Sequence, residues 1–297
     1  MDLNNKPVQW AIIIMVAFTW GTSFILMKFG LRDYDMYQVG ALRIFISFIV
    51  LLPLAIYHIR KLNKKNFPVL FFIGLIGNTL PAFLFTKAQT HISSSMAGIL
   101  NSLTPMFALL IGVYFFKDKV SKINVIGIII AFIGACGLMI KSDIQGFFGS
   151  ANWYALFVVV AALLYGANLN LIKHKLKNLN PFATISLAFM LSGPPCGVTL
   201  LFTDFTPAIN SPTGLESLMF IAMLAVFSSV LALSVYYVII PYITTIFASS
   251  VTYIIPIFAI MWGVIFGESL MFTDFLWGMI ILIGIYLVNL KNSKAKI

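Results

Sequence analysis

"AGILNSLTPMFALLIGVYFF" occupies residues 97–116. It is almost wholly apolar, yet it holds an asparagine, a threonine and a proline near its middle. A similar stretch, "ASSVTYIIPIFAIMWGVIFG", begins at Ala248. At a spacing of 151 residues, Ala97 falls on Ala248, Pro105 on Pro256, Phe107-Ala108 on Phe258-Ala259 and Gly112-Val113 on Gly263-Val264. About 20 apolar residues is the length a helix needs to cross a bilayer's hydrocarbon core. A chain that writes such a segment twice, flaw included, reads as a duplicated membrane protein.

Composition supports that reading. The hydrophobic fraction is 61% and the charged fraction 9%, whereas a soluble domain has about a quarter of its residues charged. There is too little polar side chain to cover a water-soluble particle, so the lipid bilayer is the expected partner. The net charge of +10 is then the charge of basic loops, not of a nucleic-acid surface. Cys136 and Cys196 lie in apolar runs and read as packing residues. His58, His91 and His174 stand far apart with no metal-ligand spacing, so neither a metal nor a cofactor is expected. The first apolar run has few preceding charges and no small-residue cleavage site, which favours a retained helix over a removed leader.

Apolar runs between charged or Gly/Pro/Asn-rich breaks give ten spans, near 9–30, 36–58, 68–87, 93–116, 122–141, 152–173, 181–203, 215–239, 245–266 and 273–290. The expected fold class is an all-α integral membrane protein, because runs of this length exclude barrel strands. Most of the positive residues fall in alternate segments: Lys6, then Arg60, Lys61, Lys64 and Lys65, then Lys117, Lys119 and Lys122, then Lys173, Lys175 and Lys177, then Lys291, Lys294 and Lys296. The positive-inside rule puts both termini in the cytoplasm.

The duplication extends further. At a spacing of 145, Trp20-Gly21 falls on Tyr165-Gly166, Ser23 on Asn168 and Lys28 on Lys173; at 151, Asn78 falls on Ser229. The chain divides into five-helix repeats, residues 1–145 and 146–297. Since five is odd, the second repeat must cross the membrane in the opposite sense. Inverted-topology repeats are a recurring plan of secondary transporters, with the site near the midplane between them.

The "WG" of the first span, Arg43 in "ALRIF", the shared "P-x-F-A-x-x-x-G" of spans four and nine, and the Gly-rich closing helix resemble the EamA type of the drug/metabolite transporter superfamily. The likeness runs from about residue 10 to residue 290. It implies a carrier of the bacterial inner (plasma) membrane that moves small metabolites, often amino acids, usually outward. The acidic residue that tends to close spans four and nine is Asp118 in one repeat and Glu268 in the other, one position out of register.

Polar side chains at membrane depth are costly and often functional. Those nearest the midplane give the candidate substrate path: Trp20, Asn78, Asn101, Pro105, Tyr165, Asn168, Ser229, Thr252, Tyr253 and Pro256. Ala97, Asn101 and Pro105 share one helical face, as do Ala248, Thr252 and Pro256. Each proline removes a backbone donor and frees the carbonyl four residues back, that of Asn101 or of Thr252. Facing substrate and kinking the helix for packing are both open readings. Tyr253 lies about 100° around the helix from Thr252, so only one of the two need face a cavity. Arg43, one and a half to two turns inside span two, either snorkels to the outer surface or meets a substrate carboxylate; a structural or gating role is preferred.

No Asp or Glu lies near the middle of any span, which disfavours a proton-coupled pump of cationic drugs. No Gly-rich phosphate loop is present, so ATP is not this chain's own energy source. The expectation is a non-enzymatic secondary carrier exporting small metabolites, amino acids first. A carrier of nucleotide sugars or other phosphorylated solutes would want more cations than Arg43. A lipid enzyme would want convergent His, Asp, Glu or Ser groups. Ten helices can enclose a path, so a monomer suffices.

Overall fold

Several helices begin where the sequence supplies a cap or a proline. In the computed structural model, which describes residues 3–117, 120–139, 153–176, 179–239, 242–243 and 251–290, α1 (Lys6–Gly30) opens with Pro7 in its first turn. The α2 helix (Met36–His58) is closed by a capping box: Asp35 accepts from the Tyr37 and Gln38 amides, and Gln38 accepts from the Asp35 amide. Ser93 and Asn180 cap α4 (Ser94–Phe116) and α7 (Pro181–Leu200). The remaining helices are α3 (Phe67–Gln89), α5 (Lys122–Met139), α6 (Ala155–Lys175), α8 (Gly214–Ile239), α9 (Val251–Ile265) and α10 (Phe272–Asn289).

Among the described residues there is no strand. Among the described residues eight helices are long and apolar enough to cross a membrane, and α9 and α10 are shorter apolar helices. Large apolar side chains such as Ile129, Phe132, Ile257 and Ile283 stand exposed around the bundle, as a lipid-facing surface requires. The 145/146 repeat boundary, Asp118 and the first residues of the second quoted stretch lie outside the described residues.

The two prolines do not behave alike. α4 stops at Asn101, turns through Ser102 and Leu103, and restarts at Thr104. Pro105 therefore sits in a first turn, where its missing N–H costs nothing, and the Asn101 carbonyl accepts the Thr104 hydroxyl at 2.8 Å. The expected mid-helix kink is a helix break instead. Pro256 stays inside α9.

Two π-helical stretches interrupt α3 at Leu75–Thr79 and α8 at Leu224–Ala232. Residues 75–79 map onto 226–230 at the spacing of 151, inside the second stretch. π-Bulges are rare and concentrate at functional sites.

Glycines set the closest helix crossings. A Cβ on Gly21 of α1 would lie 2.5 Å from the Phe258 Cβ and 2.9 Å from the Ile255 oxygen of α9. A Cβ on Gly166 of α6 would lie 2.7 Å from the Ala108 nitrogen and 2.9 Å from the Phe107 carbonyl carbon of α4. Gly21 and Gly166 stand 145 residues apart and Phe107-Ala108 and Phe258-Ala259 151 apart, the spacings of the sequence match. Each of the two matched stretches thus seats one of the two matched glycines. Gly127 and Gly134 of α5 pack equally closely on α10, through Gly284, Val288 and Ile281. Small residues bring transmembrane backbones together in this way.

Candidate functional site

The two π-helical stretches and the break in α4 border one central cavity of about 180 Å³. Of the residues expected on the path, Trp20, Asn78, Asn101, Tyr165, Asn168, Ser229 and Thr252 line it, and so does Arg43. Pro105, Tyr253 and Pro256 are not in its wall. The Tyr253 hydroxyl turns to α10 and donates to the Ile285 carbonyl at 2.7 Å. Pro256 lines a separate apolar recess against α10.

Arg43 does not snorkel. Its Nε donates to the Ser229 hydroxyl at 2.9 Å, and among the described residues no carboxylate pairs with it. The indole Nε1 of Trp20 donates to the Ser228 carbonyl at 3.1 Å. The π-helical stretch of α8 therefore holds the cavity's cation and one of its largest rings. Trp20 meets Tyr236 edge to face at 5.2 Å between centroids, and Phe85 stacks on Tyr165 at 6.0 Å. Three polar atoms around the cavity find no hydrogen-bond partner: Asn101 Oδ1, Asn168 Oδ1 and Ser228 Oγ.

Sequence reasoning had no signal for Phe85, Tyr236 and Tyr237 as wall residues, since aromatics are everywhere in this chain. Ser228, a midplane serine beside Ser229, also lines the cavity, whereas Gly77 was discoverable only as a neighbour of Asn78.

One end of the bundle is tied by charge. Glu268, 3% exposed at its side chain, pairs with Lys28 at 2.9 Å and accepts from the Ser94 and Ser95 amides at the start of α4 and from the Ser95 hydroxyl. Burial pushes this carboxyl up, but the Lys28 ammonium and the serine donors outweigh it and hold it below its usual value. Glu268→Gln removes the ion pair and the charge at a helix N-terminus, so a loss of about 1–3 kcal/mol is expected. Thermal unfolding in detergent reads it, and an unshifted midpoint would count against this account.

Beside it, Asp33 accepts from the hydroxyls of Ser211, Ser217 and Thr213 and from Arg32. Ser211 and Ser217 foremost, then Thr213 and Arg32, bring its pKa down to about 2 against the burial that raises it. A depressed carboxylate stabilises the fold above its unfolded value, near pH 4, and that contribution fades as pH falls through about 2. Acid titration of wild type and Asp33→Asn should diverge above about pH 4 and converge near pH 2; parallel curves throughout would exclude the effect.

A helical membrane bundle wrapped around a small, mixed polar and aromatic cavity is the build of a small-molecule transporter. Residues 9–140 and 152–290 each match the EamA-like transporter family, and the chain belongs to that family. An uncharacterized transporter of Archaeoglobus fulgidus is 25% identical over 290 residues, covering 96% of this chain and 99% of that protein. Another, from Clostridium kluyveri, is 23% identical over 295 residues, 96% of this chain and 94% of that protein. A probable terminal-alkyne amino-acid exporter of Streptantibioticus cattleyicolor is 21% identical over 167 residues, 55% of this chain and 54% of that protein. A crystal structure of a protein 13% identical to this chain superposes with a TM-score of 0.63, covering 96% of both chains, which speaks for the fold alone. A transport role in a membrane, with a small-molecule substrate and lipid contact, follows from the family.

Proposed function

We propose that the chain is a secondary carrier that exports small metabolites, amino acids first, by alternating access between two inverted five-helix repeats. The observation that carries the substrate class is the cavity's chemistry: one cation, Arg43, with two unpartnered amide oxygens and aromatic walls, and no carboxylate among the described residues that line it. A zwitterion with an apolar body fits such a wall.

The repeats, residues 1–145 and 146–297, are supported by the two successive family matches, by the paired π-helical stretches and by the exchanged glycine crossings. Ten crossings follow if α9 and α10 both span the bilayer with the eight longer helices. Both termini then lie in the cytoplasm of a bacterial inner membrane by the lysine distribution, and Lys28, Asp33 and Glu268 lie at the outer end. The bonds there close the cavity from outside. Opening them while the opposite end closes is the alternating step, and one chain suffices for it. Nucleotide sugars fit less well, because pockets for drug-sized ligands run to roughly 300–1,000 Å³ and this cavity holds about 180 Å³.

Counterflow in proteoliposomes tests the reading. Vesicles holding the purified protein are preloaded with each unlabelled amino acid in turn, and uptake of the same labelled solute is followed without an ion gradient. Accumulation for one group establishes the carrier and its class, and a pH gradient then tests coupling. No accumulation across the panel, from folded protein, would overturn the amino-acid reading.

A further inference from the structure

On the amino-acid reading above, the cavity also says which end of the substrate goes where. Asn168 is 9% exposed, lines the cavity and leaves its Oδ1 without a hydrogen bond. Buried polar atoms are nearly always satisfied, so an orphaned acceptor calls for an explanation. Interhelical glue is not the explanation. Asn170, two residues on, does that work by donating to the Ala108 and Gly166 carbonyls at 2.8 and 2.9 Å. Asn168 is instead held in place by a gap made for it. A Cβ on Gly77, inside the π-helical stretch of α3, would lie 2.4 Å from its Nδ2 and 2.7 Å from its Oδ1.

Asn101 repeats the pattern. It ends the first piece of α4, its backbone oxygen is taken by Thr104, and its Oδ1 faces no donor. The same wall carries Arg43, a group that can only donate. The cavity lining thus offers donors at Arg43 and Ser229 and unpaired acceptors at Asn101 and Asn168.

The geometry points to Asn101 and Asn168 as the residues that receive the N–H groups of a substrate ammonium, with the substrate carboxylate at Arg43. The ligand class is a solute carrying both a carboxylate and a primary ammonium. A 2-oxo acid of the same carbon skeleton brings no donor and leaves both amide oxygens unpaired, which is how polar sites reject a near-isostere.

The test is counterflow with the full-length protein across labelled amino acids, L-leucine and L-phenylalanine first, competed by the matching 2-oxo acids. In wild type the 2-oxo acid should need at least about tenfold more to half-inhibit uptake. In Asn168→Leu that ratio should fall below about threefold, with the preference for a free carboxylate over a carboxamide kept. Should Asn168→Leu not fold, Asn101→Leu and Gly77→Ala, the latter pushing the Asn168 amide aside, carry the same comparison. Equal competition by 2-oxo acids in wild type, or full discrimination in every folded variant, overturns the assignment and leaves amino-acid transport standing. Accumulation of no amino acid in the whole panel overturns both.

Discussion

Arg43→Gln should abolish the carrier's preference for a free carboxylate. In wild type, an amino acid should compete for uptake about ten- to a hundredfold better than its carboxamide, the worth of a charge-assisted hydrogen bond. The variant should bring the two within about threefold. The argument starts from cost. A cation at membrane depth carries a penalty of about 2.5–3.5 kcal/mol even on the mildest scale. Here its Nε meets only the neutral hydroxyl of Ser229, with no carboxylate paired to it among the described residues. An apolar residue would pack more cheaply unless the charge meets something in the cavity. Arg43→Lys should fall between, because an ammonium keeps the charge and loses the planar fork that matches a carboxylate. A purely structural role, holding the π-helical stretch of α8 through Ser229, makes a different forecast. Both variants would then lower the unfolding midpoint and leave the carboxylate preference intact. Measuring preference and midpoint on the same preparations separates the two.

The fold was legible because its two strongest signals are long-range arithmetic. Apolar runs of about 20 residues need only counting, and spacings of 145 and 151 pair the residues on which the proposed repeats rest. The cavity was legible in part for the same reason: midplane polar residues have few places to go but inward. Trp20, Asn78, Asn101, Tyr165, Asn168, Ser229 and Thr252 meet there. What failed to show was local backbone geometry. A proline in an apolar run reads as a kink, yet Pro105 starts a new helix after a break while its partner Pro256 stays within one. Nothing in "LIGNT" or "LAVFSSVLA" announces a π-helical stretch, because one extra residue per turn is decided by what packs against it. Glu268 was noted as a span-closing acid, but its partners, Lys28 and the first amides of α4, are more than 170 residues away. Such pairing is tertiary information. Arg43 illustrates the limit best, since its sequence position allowed either a surface or a cavity and only the bond to Ser229 chooses.

Gly21→Leu and Gly166→Leu should each prevent recovery of monodisperse protein, and the corresponding alanine variants should cost stability by about 1–3 kcal/mol, the range for overpacking a close contact. At Gly21 a single added carbon would lie 2.5 Å from the Phe258 Cβ, and at Gly166 2.7 Å from the Ala108 backbone nitrogen. Neither neighbour is the free end of a flexible chain, so the helices themselves must part. Because the two crossings use residues matched at the spacings of 145 and 151, Gly21→Ala and Gly166→Ala should shift the unfolding midpoint by similar amounts. A large shift at one and none at the other would show that the shared geometry does not carry shared energy. The same pair also bears on mechanism. α1 packs on α9 and α6 on α4, so each crossing joins the first helix of one proposed repeat to the matched stretch of the other. If the proposed repeats rock against each other during transport, these crossings are the surfaces that slide or pivot. Alanine there should then slow counterflow more than it weakens substrate competition. A rise in half-saturating concentration at unchanged maximal rate would instead mean that the added methyl reaches the cavity wall, and the pivot would have to be sought at the α5–α10 contact, where Gly127 and Gly134 approach α10 as closely.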